Sequence, residues 1–227
     1  MAPSELELRL SALYRHRSVA PTNSASGAVG APGAVGGAVG GPSVGAPGAA
    51  VAVVLAGPQL EVALIRRADD ERDPWSGHMA LPGGRRDPAD ADLLATARRE
   101  TSEEIGVALE PSSYWGALPE VAALSGGRAQ GFRVAPFLFR LSDRPEVRPN
   151  REVAEVVWFP LSELLGPSRQ VDFDFQRGDQ VYRFPAWDID GRVVWGLTHR
   201  ILSTLLELPE RPIVLRGEPP QGRPGPR

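Results

Sequence analysis

The stretch LPGGRRDPADADLLATARRETSEEIGV, residues 81–107, decides the fold prediction, because it joins a glycine turn to a helix with an unusual end. Glu100, Glu103 and Glu104 fall in the last turns of this helix, where the helix dipole disfavours each negative charge by about 0.3–1 kcal/mol. Spacings of three and four bring the carboxylates together, so they repel one another. Clustered carboxylates are ligands for Mg²⁺ or Mn²⁺, and we predict a divalent-cation site. The alternative is a solvated acidic helix end.

The composition is that of an ordinary globular protein. Apolar residues make up 42% of the 227 residues, charged residues make up 23%, and the formal net charge is −3. This charge balance gives no general reason to expect nucleic-acid or membrane binding. The absence of cysteine excludes a thiolate metal site and a cysteine nucleophile. No apolar run reaches the about 18–20 residues of a membrane span, so we expect a cytoplasmic protein.

Four segments differ in composition. Leucines at helical spacing predict an amphipathic helix in residues 1–17. Residues 18–49 are nearly all Gly, Ala, Val and Pro and predict a flexible linker, with an assembly role as the alternative. Residues 50–208 are expected to form the folded domain. Residues 209–227 are rich in Pro, Gly and Arg and are expected to form a mobile tail.

The folded segment mixes strand and helix patterns. Two apolar runs flank Gly57-Pro58 and predict a hairpin. Residues 91–105 predict a helix that ends at Gly106, and residues 193–208 predict a closing helix. Further apolar runs lie between them. Because strands and helices interleave irregularly, we predict an α/β fold with a mixed β-sheet and helices on its faces.

The quoted stretch also resembles the signature of the Nudix hydrolase family, G-x5-E-x7-R-E-U-x-E-E-x-G-U, where U is a bulky apolar residue. Arg99-Glu100 match the R-E pair, Glu103-Glu104 match the E-E pair, and Gly106-Val107 match the closing pair. The loop before the helix is one residue longer than in this pattern. Asp90 therefore stands one place before the internal glutamate position, which holds Ala91.

The longer loop and the segment before it are similar to the coenzyme A pyrophosphatase subgroup of that family. The subgroup has an arginine-bearing segment, L-I-x-R-[SA]-x3-R-x3-G-x3-[FL]-P-G-G, ahead of the signature. Here the matching arginines are Arg67 and Arg72, and the segment DPWS, residues 73–76, makes the spacing to Gly77 one residue longer. The resemblance covers about residues 50–208.

The resemblance implies a Nudix-like α/β/α sandwich that hydrolyses a diphosphate bond with Mg²⁺ or Mn²⁺. By this resemblance Glu100 and Glu104 are metal ligands, and Glu103 is a ligand or the base that takes a proton from water. Arg99 is expected to pair with an acid across the loop. By the same resemblance, the candidate catalytic residues are Glu103, Arg99 and Glu100.

The same resemblance suggests which residues bind substrate. Gly83 and Gly84 let the backbone turn tightly beside the helix. Arg67 and Arg72 can meet the 3′-phosphate or diphosphate of coenzyme A, or they can form a solvated charged edge. Some family members take a base from outside the signature, and Glu152 and Glu155 are the candidates here, with a polar strand face as the alternative.

Three functions follow from these residues. The leading one is hydrolysis of coenzyme A or its thioesters to 3′,5′-ADP and (acyl-)4′-phosphopantetheine. The second is the same chemistry on another nucleotide, such as ADP-ribose or NADH. The third is a non-catalytic nucleotide sensor, which would have no turnover. The expected partner is a small-molecule nucleotide, with no nucleic acid and no membrane, and a homodimer stays open.

Overall fold

The structure is a computed structural model that describes residues 5–14, 47–71, 75–125, 128–207 and 214–216. Within these ranges the α-helices are α1 (Glu5–Tyr14), α2 (Leu93–Ile105) and α3 (Gly196–Leu205). The strands are β1 (Pro47–Ala56), β2 (Glu61–Arg67), β3 (Met79–Ala80), β4 (Gly83–Arg85), β5 (Tyr114–Ala117), β6 (Val121–Ser125), β7 (Arg128–Leu141), β8 (Val153–Pro160), β9 (Gln170–Arg177), β10 (Gln180–Ile189), β11 (Arg192–Trp195) and β12 (Val214–Arg216). Short 3-10 helices span Pro111–Ser113, Leu161–Leu165 and Pro167–Arg169.

The strands form two sheets. In the described part of the chain, the larger sheet has eight strands in the order β3-β2-β1-β7-β5, with β4 pairing β1, β6 pairing β7 and β8 pairing β2. Strands β1 and β7 are parallel and the other pairs of this sheet are antiparallel, which confirms the predicted mixed sheet. The smaller sheet joins β9, β11 and β12 to β10, and all of its pairs are antiparallel.

The predicted hairpin is the link between β1 and β2. Leu55 pairs with Val62 across it. The turn contains Gly57 at a φ of 67°, a left-handed conformation that glycine adopts without steric cost. At its other end, β2 lies beside the start of β8, where Arg67 pairs with Val153.

Strand β1 lies at the centre of the core and is buried on both faces. Alternate residues of a strand face opposite sides of a sheet, and here each set packs against different helices. On one face, Ala50, Ala52 and Val54 of β1 pack with Ala97 and Ile105 of α2. On the other face, Val51, Val53 and Leu55 of β1 pack with Leu10 of α1 and with Ile201 and Leu202 of α3. The α/β/α sandwich is therefore confirmed, and its middle layer is the larger sheet.

Helix α2 is capped at both ends, by Asp92 at its start and by the predicted Gly106 at its end. The Asp92 side chain accepts a hydrogen bond of 2.7 Å from the Ala95 amide, as an N-cap does. Gly106 takes a left-handed φ of 71° and donates its amide to the Ser102 carbonyl at 3.0 Å. Both caps hold the helix at a fixed length, so the positions of its last-turn glutamates are set by backbone geometry.

Helix α1 packs on the sandwich. Its Leu10 side chain is 1% exposed and belongs to the core, whereas Leu8 is 58% exposed. Glu7 also accepts a hydrogen bond of 2.9 Å from Arg140 of β7. These contacts fix the helix against the face of the sheet that α3 shares.

The predicted segment boundaries differ from the observed ones in two places. Strand β1 begins at Pro47, so the end of the segment 18–49 that was predicted as a linker belongs to the sheet, and residues 18–46 lie outside the described residues. In the segment 209–227, which was predicted as a mobile tail, residues 214–216 form β12 and pair with β10. In both places, backbone hydrogen bonds to a neighbouring strand order residues whose Gly/Ala-rich or Pro-rich composition predicted no regular structure.

The smaller sheet supports the loop between β2 and β3. Its inner face carries aromatic residues, among them Phe175 of β9 and Trp195 of β11. Trp75, from the DPWS segment, stacks on Phe175 with the ring centroids 6.1 Å apart and the planes at 15°. His78 packs against Trp195 at 5.1 Å. The loop that follows Arg67 is therefore attached to the smaller sheet.

No helix in the described residues has the length and apolar composition needed to cross a membrane.

The docking of α1 can be tested with two leucines of the same helix. Truncating a buried leucine to alanine costs about 2–5 kcal/mol of unfolding free energy, because the removed atoms leave a cavity. We expect Leu10→Ala to lower the unfolding free energy by this amount in urea titrations of the full chain. Leu8→Ala is the matched control and should change it by less than about 0.5 kcal/mol. Equal effects of the two substitutions would mean that α1 does not pack on the core.

Candidate active site

The site forms where β4, the last turns of α2 and the turn before β8 meet. The Gly83 amide donates a hydrogen bond of 2.8 Å to Oε2 of Glu104. Glu104 is only 4% exposed. Burial penalises its charged form and raises its pKa to about 7, and the nearby Glu100 carboxylate acts in the same direction. The structure thus places a buried carboxylate directly against the glycine turn.

The second carboxylate of the site is that of Glu100. Burial is also the main reason that the pKa of Glu100 is raised, while Arg99 works against the shift. Gly84 leaves the space for this carboxylate, because a Cβ atom there would overlap the Glu100 carboxyl group. Glu100 and Glu104 therefore lie together, one turn apart, on the face of α2 that contacts β4.

Glycine is required at position 83 by the packing of β4 on β1. Gly83 has a φ of 152°, and an added Cβ would lie 2.6 Å from the Cα of Val51. Next to it, the Ala52 amide donates a hydrogen bond of 2.8 Å to the Pro82 carbonyl. The turn therefore lies against the central strand, and its amide is presented to Glu104 at a fixed distance.

Arg99 pairs with an acid across the loop, as predicted, and that acid is Asp90. The guanidinium donates from Nε to Oδ1 of Asp90 at 2.9 Å and from Nη2 to Oδ2 at 3.0 Å. This bidentate pair, with further hydrogen bonds from the Asp87 amide and the Thr96 hydroxyl, holds the pKa of Asp90 well below its usual range. Arg99 also donates to the Arg85 carbonyl at 3.2 Å, so it joins the loop to the helix.

Glu103 is placed differently from the other two glutamates. Its side chain is 55% exposed, and its carboxylate forms an ion pair with the Arg99 guanidinium at 2.9 Å. In the described ranges no three or more His, Asp or Glu side chains are arranged to hold a metal ion. Glu100 and Glu104 lie together against β4, whereas Glu103 lies on the solvent side of α2. Arg99 pairs with both Glu100 and Glu103, and the role of Glu103 as a ligand or base stays a prediction.

A cavity of about 620 Å³ lies next to the turn before β8, whose Asn150 amide donates a hydrogen bond to the Glu104 carbonyl. It is lined by the end of β2 and the turn before β8: Arg67, Ala68, Asp69, Asp70, Glu71, Arg151 and Glu152. The charges of Arg67 and Glu152 both act on the pKa of Glu104, so this cavity adjoins the buried carboxylate. Its size is within the range of small-molecule sites. The predicted Arg72 lies outside the described residues.

Two residues outside the signature were weighed as bases, and the structure separates them. Glu152 lines the cavity. Glu155 instead pairs with Arg192 at 2.9 Å, and this hydrogen bond lowers its pKa. Arg151 also lines the cavity, and sequence reasoning missed it. Arg151 lies outside the family signature and outside any helix or strand pattern. The one feature of the sequence that could have indicated it is its position directly before Glu152.

Comparisons with known proteins agree with the geometry. A family model described as NUDIX domain matches residues 46–178. An uncharacterized Nudix hydrolase, NudL, of Pectobacterium atrosepticum is 34% identical over 162 residues, which are 70% of this chain and 81% of that one. The mitochondrial coenzyme A diphosphatase NUDT8 of Homo sapiens is 38% identical over 136 residues, which are 58% of this chain and 56% of the human protein. The crystal structure of RenU, a Nudix hydrolase from M. smegmatis, is 25% identical, covers 52% of this chain and 73% of that one, and has a TM-score of 0.41.

The burial of Glu104 predicts a stability change with pH. Its pKa is about 7 in the folded chain and 4.5 as an unperturbed group, so its stabilising contribution is complete below pH 4.5 and is lost as the pH rises through 7. Glu104→Gln keeps an uncharged acceptor for the Gly83 amide. We expect this variant to exceed the wild type in unfolding free energy by about 1–3 kcal/mol at pH 8 without divalent cations, and by little at pH 5. Urea titrations in EDTA measure both.

The matched control is Glu103→Gln on the same helix. Glu103 is exposed, and its ion pair with Arg99 is of the surface type, so the change should stay below about 1 kcal/mol at pH 8. A Glu104→Gln variant that is less stable than the wild type at pH 8 would show that Glu104 is not a buried carboxylate.

Proposed function

Since the chain belongs to the Nudix hydrolase family, we propose that it is a metal-dependent diphosphatase acting on coenzyme A or its thioesters. The products are 3′,5′-ADP and (acyl-)4′-phosphopantetheine. One observation carries the reaction class: the half-buried Glu100 and the buried Glu104 lie together against the glycine turn, next to the turn that borders an open cavity. The name of the human relative, a coenzyme A diphosphatase, supports the choice of substrate.

Glu100 and Glu104 are the residues that would hold Mg²⁺ or Mn²⁺. Both pKa values are raised, chiefly because each carboxylate is removed from water, and the Glu100 charge also raises the pKa of Glu104, so the pair favours a cation. Carboxylate oxygen is the donor that these hard ions prefer, and Mg²⁺ takes one or two carboxylates together with waters and substrate phosphates. When bound, such an ion polarises a phosphoryl oxygen and makes a coordinated water more acidic.

The protein residues supply positioning and proton transfer. Arg99 holds the loop of Asp90 against α2 and balances the charge of Glu103. Glu152 lines the cavity close enough to Glu104 for its charge to act there, whereas Glu103 is engaged by Arg99. Of the two candidate bases, Glu152 is therefore the better placed to accept a proton from the attacking water.

Arg67 is the basic residue that supports diphosphate binding. It lines the cavity, and its charge acts on Glu104, so it lies near the site of cleavage. A guanidinium binds phosphate oxygens in a bidentate manner, and the substrate phosphates can therefore lie between Arg67 and the carboxylate pair. The Gly83-Gly84 turn lets the Glu100 and Glu104 carboxylates approach its backbone closely.

The substrate is tested with Mg²⁺-dependent hydrolysis of coenzyme A, dephospho-coenzyme A, ADP-ribose and NADH, with the products separated by chromatography. We expect 3′,5′-ADP from coenzyme A at a kcat/KM at least about tenfold above the other three substrates, since only coenzyme A carries the 3′-phosphate. A preference for ADP-ribose or NADH would overturn the coenzyme A assignment and leave the diphosphatase chemistry standing.

The metal ligands are tested with Glu104→Gln. Removing a ligand carboxylate withdraws several kcal/mol of charge stabilisation, so we expect kcat to fall about 100-fold or more, and Mg²⁺ should no longer raise the unfolding temperature. Glu163→Gln is the control, because Glu163 is an exposed partner of Arg169 outside the site. A wild-type chain without turnover on any nucleotide would favour the sensor instead.

A further inference from the structure

We propose that Arg151 is a substrate-binding residue that holds the 3′-phosphate of coenzyme A and selects for substrates that carry it. This assignment rests on the proposed function, and it adds a residue outside both the signature and the arginine-bearing segment. It is supported by the anchoring of the Arg151 turn, by a guanidinium without a partner in the described part of the chain, and by the charges that line the cavity.

The turn that carries Arg151 is attached to the active site on two sides. The Asn150 amide donates a hydrogen bond of 2.9 Å to the carbonyl of Glu104, at the end of α2. On the other side, the Ala68 amide donates to the Glu152 carbonyl at 2.8 Å. The Asn150 side chain also accepts the Glu152 amide at 2.8 Å, which closes the turn. Arg151 therefore extends from a backbone that is fixed between the carboxylate helix and the end of β2.

The guanidinium of Arg151 has no partner among the described residues. Every other arginine whose side chain is described makes a hydrogen bond, an ion pair or another electrostatic interaction within the protein. A surface arginine without a partner is common in general, but this one lines a cavity large enough for a nucleotide moiety. Its donors are available for a ligand, and five N–H groups in a planar fork match a phosphate monoester.

The other charges in the cavity determine which anion can bind there. Asp69, Asp70, Glu71 and Glu152 line the same space, so an anion far from an arginine is repelled. The charge of Arg67 acts on Glu104. Arg67 therefore suits the diphosphate at the cleaved bond, whereas Arg151, on the turn before β8, is left for a second anionic group.

The 3′-phosphate is the group of coenzyme A that fits this position. It is a terminal monoester that the reaction does not change, and it is separated from the diphosphate by the ribose. An interaction with it contributes equally in the ground state and the transition state, so its loss raises KM and leaves kcat unchanged.

The test uses the full chain and steady-state kinetics on coenzyme A and dephospho-coenzyme A. Arg151→Ala should lower kcat/KM for coenzyme A by about 10- to 100-fold through KM, because a charge-assisted hydrogen bond is lost. The same variant should hydrolyse dephospho-coenzyme A at the wild-type rate. Arg151→Lys keeps the charge and should restore part of the loss.

Arg148→Ala is the matched control. Arg148 lies three positions away, is 77% exposed and pairs only weakly with Glu146 at 3.4 Å, so its truncation should leave both substrates unaffected. Wild-type kinetics of Arg151→Ala on coenzyme A, or equal losses on both substrates, would overturn the assignment of Arg151. A wild-type chain that does not hydrolyse coenzyme A would overturn the proposed function itself, so the two failures are distinct.

Discussion

The hydrogen bond from the Gly83 amide to the buried Glu104 carboxylate is the contact on which the active site depends. It requires a glycine, because the turn lies against the backbone of the central strand. It also requires that α2 end at a fixed residue, which the cap at Gly106 ensures. The central strand, the turn and the helix therefore place a carboxylate where burial raises its pKa. The protein maintains a locally unfavourable charge, as sites that bind cations commonly do.

Arg99 controls how the remaining negative charge is distributed around that contact. One guanidinium interacts with Asp90, Glu100 and Glu103, and it also donates to a carbonyl of the preceding loop. An arginine can do this because its donors are rigid and point in several directions. The loop and the helix are consequently held in register without a cation, while Glu100 and Glu104 remain turned toward β4.

Much of this arrangement could be predicted from the sequence, because it depends on short-range signals. Gly106 marked the end of α2, and the glycine pair marked the turn. The outward position of Glu103 could not be predicted from spacing alone. Adjacent helix residues are about 100° apart around the axis, so a partner that faces Glu104 does not face Glu103, and only tertiary contacts decide which is buried.

The smaller sheet and Arg151 were missed for different reasons. Residues 170–176 alternate polar and apolar side chains, as a half-buried strand does, but the apolar run at residues 184–187 of β10 does not. Arg151 lies in a turn, and its relation to Glu104 arises from backbone hydrogen bonds that join segments distant in sequence. Such contacts appear only once the chain is folded.

The attachment of Trp75 to the smaller sheet has a consequence for how this protein can diversify. Strands β10 and β11 lie beyond residues 46–178, the part of the chain that matches the family. Trp195 of β11 nevertheless supports the loop that borders the cavity, through its contact with Trp75. Substitutions in β11 can therefore shift the loop that borders the cavity while the glutamates of α2 stay unchanged. The shape of the cavity and the carboxylates of the helix can then vary independently within one chain.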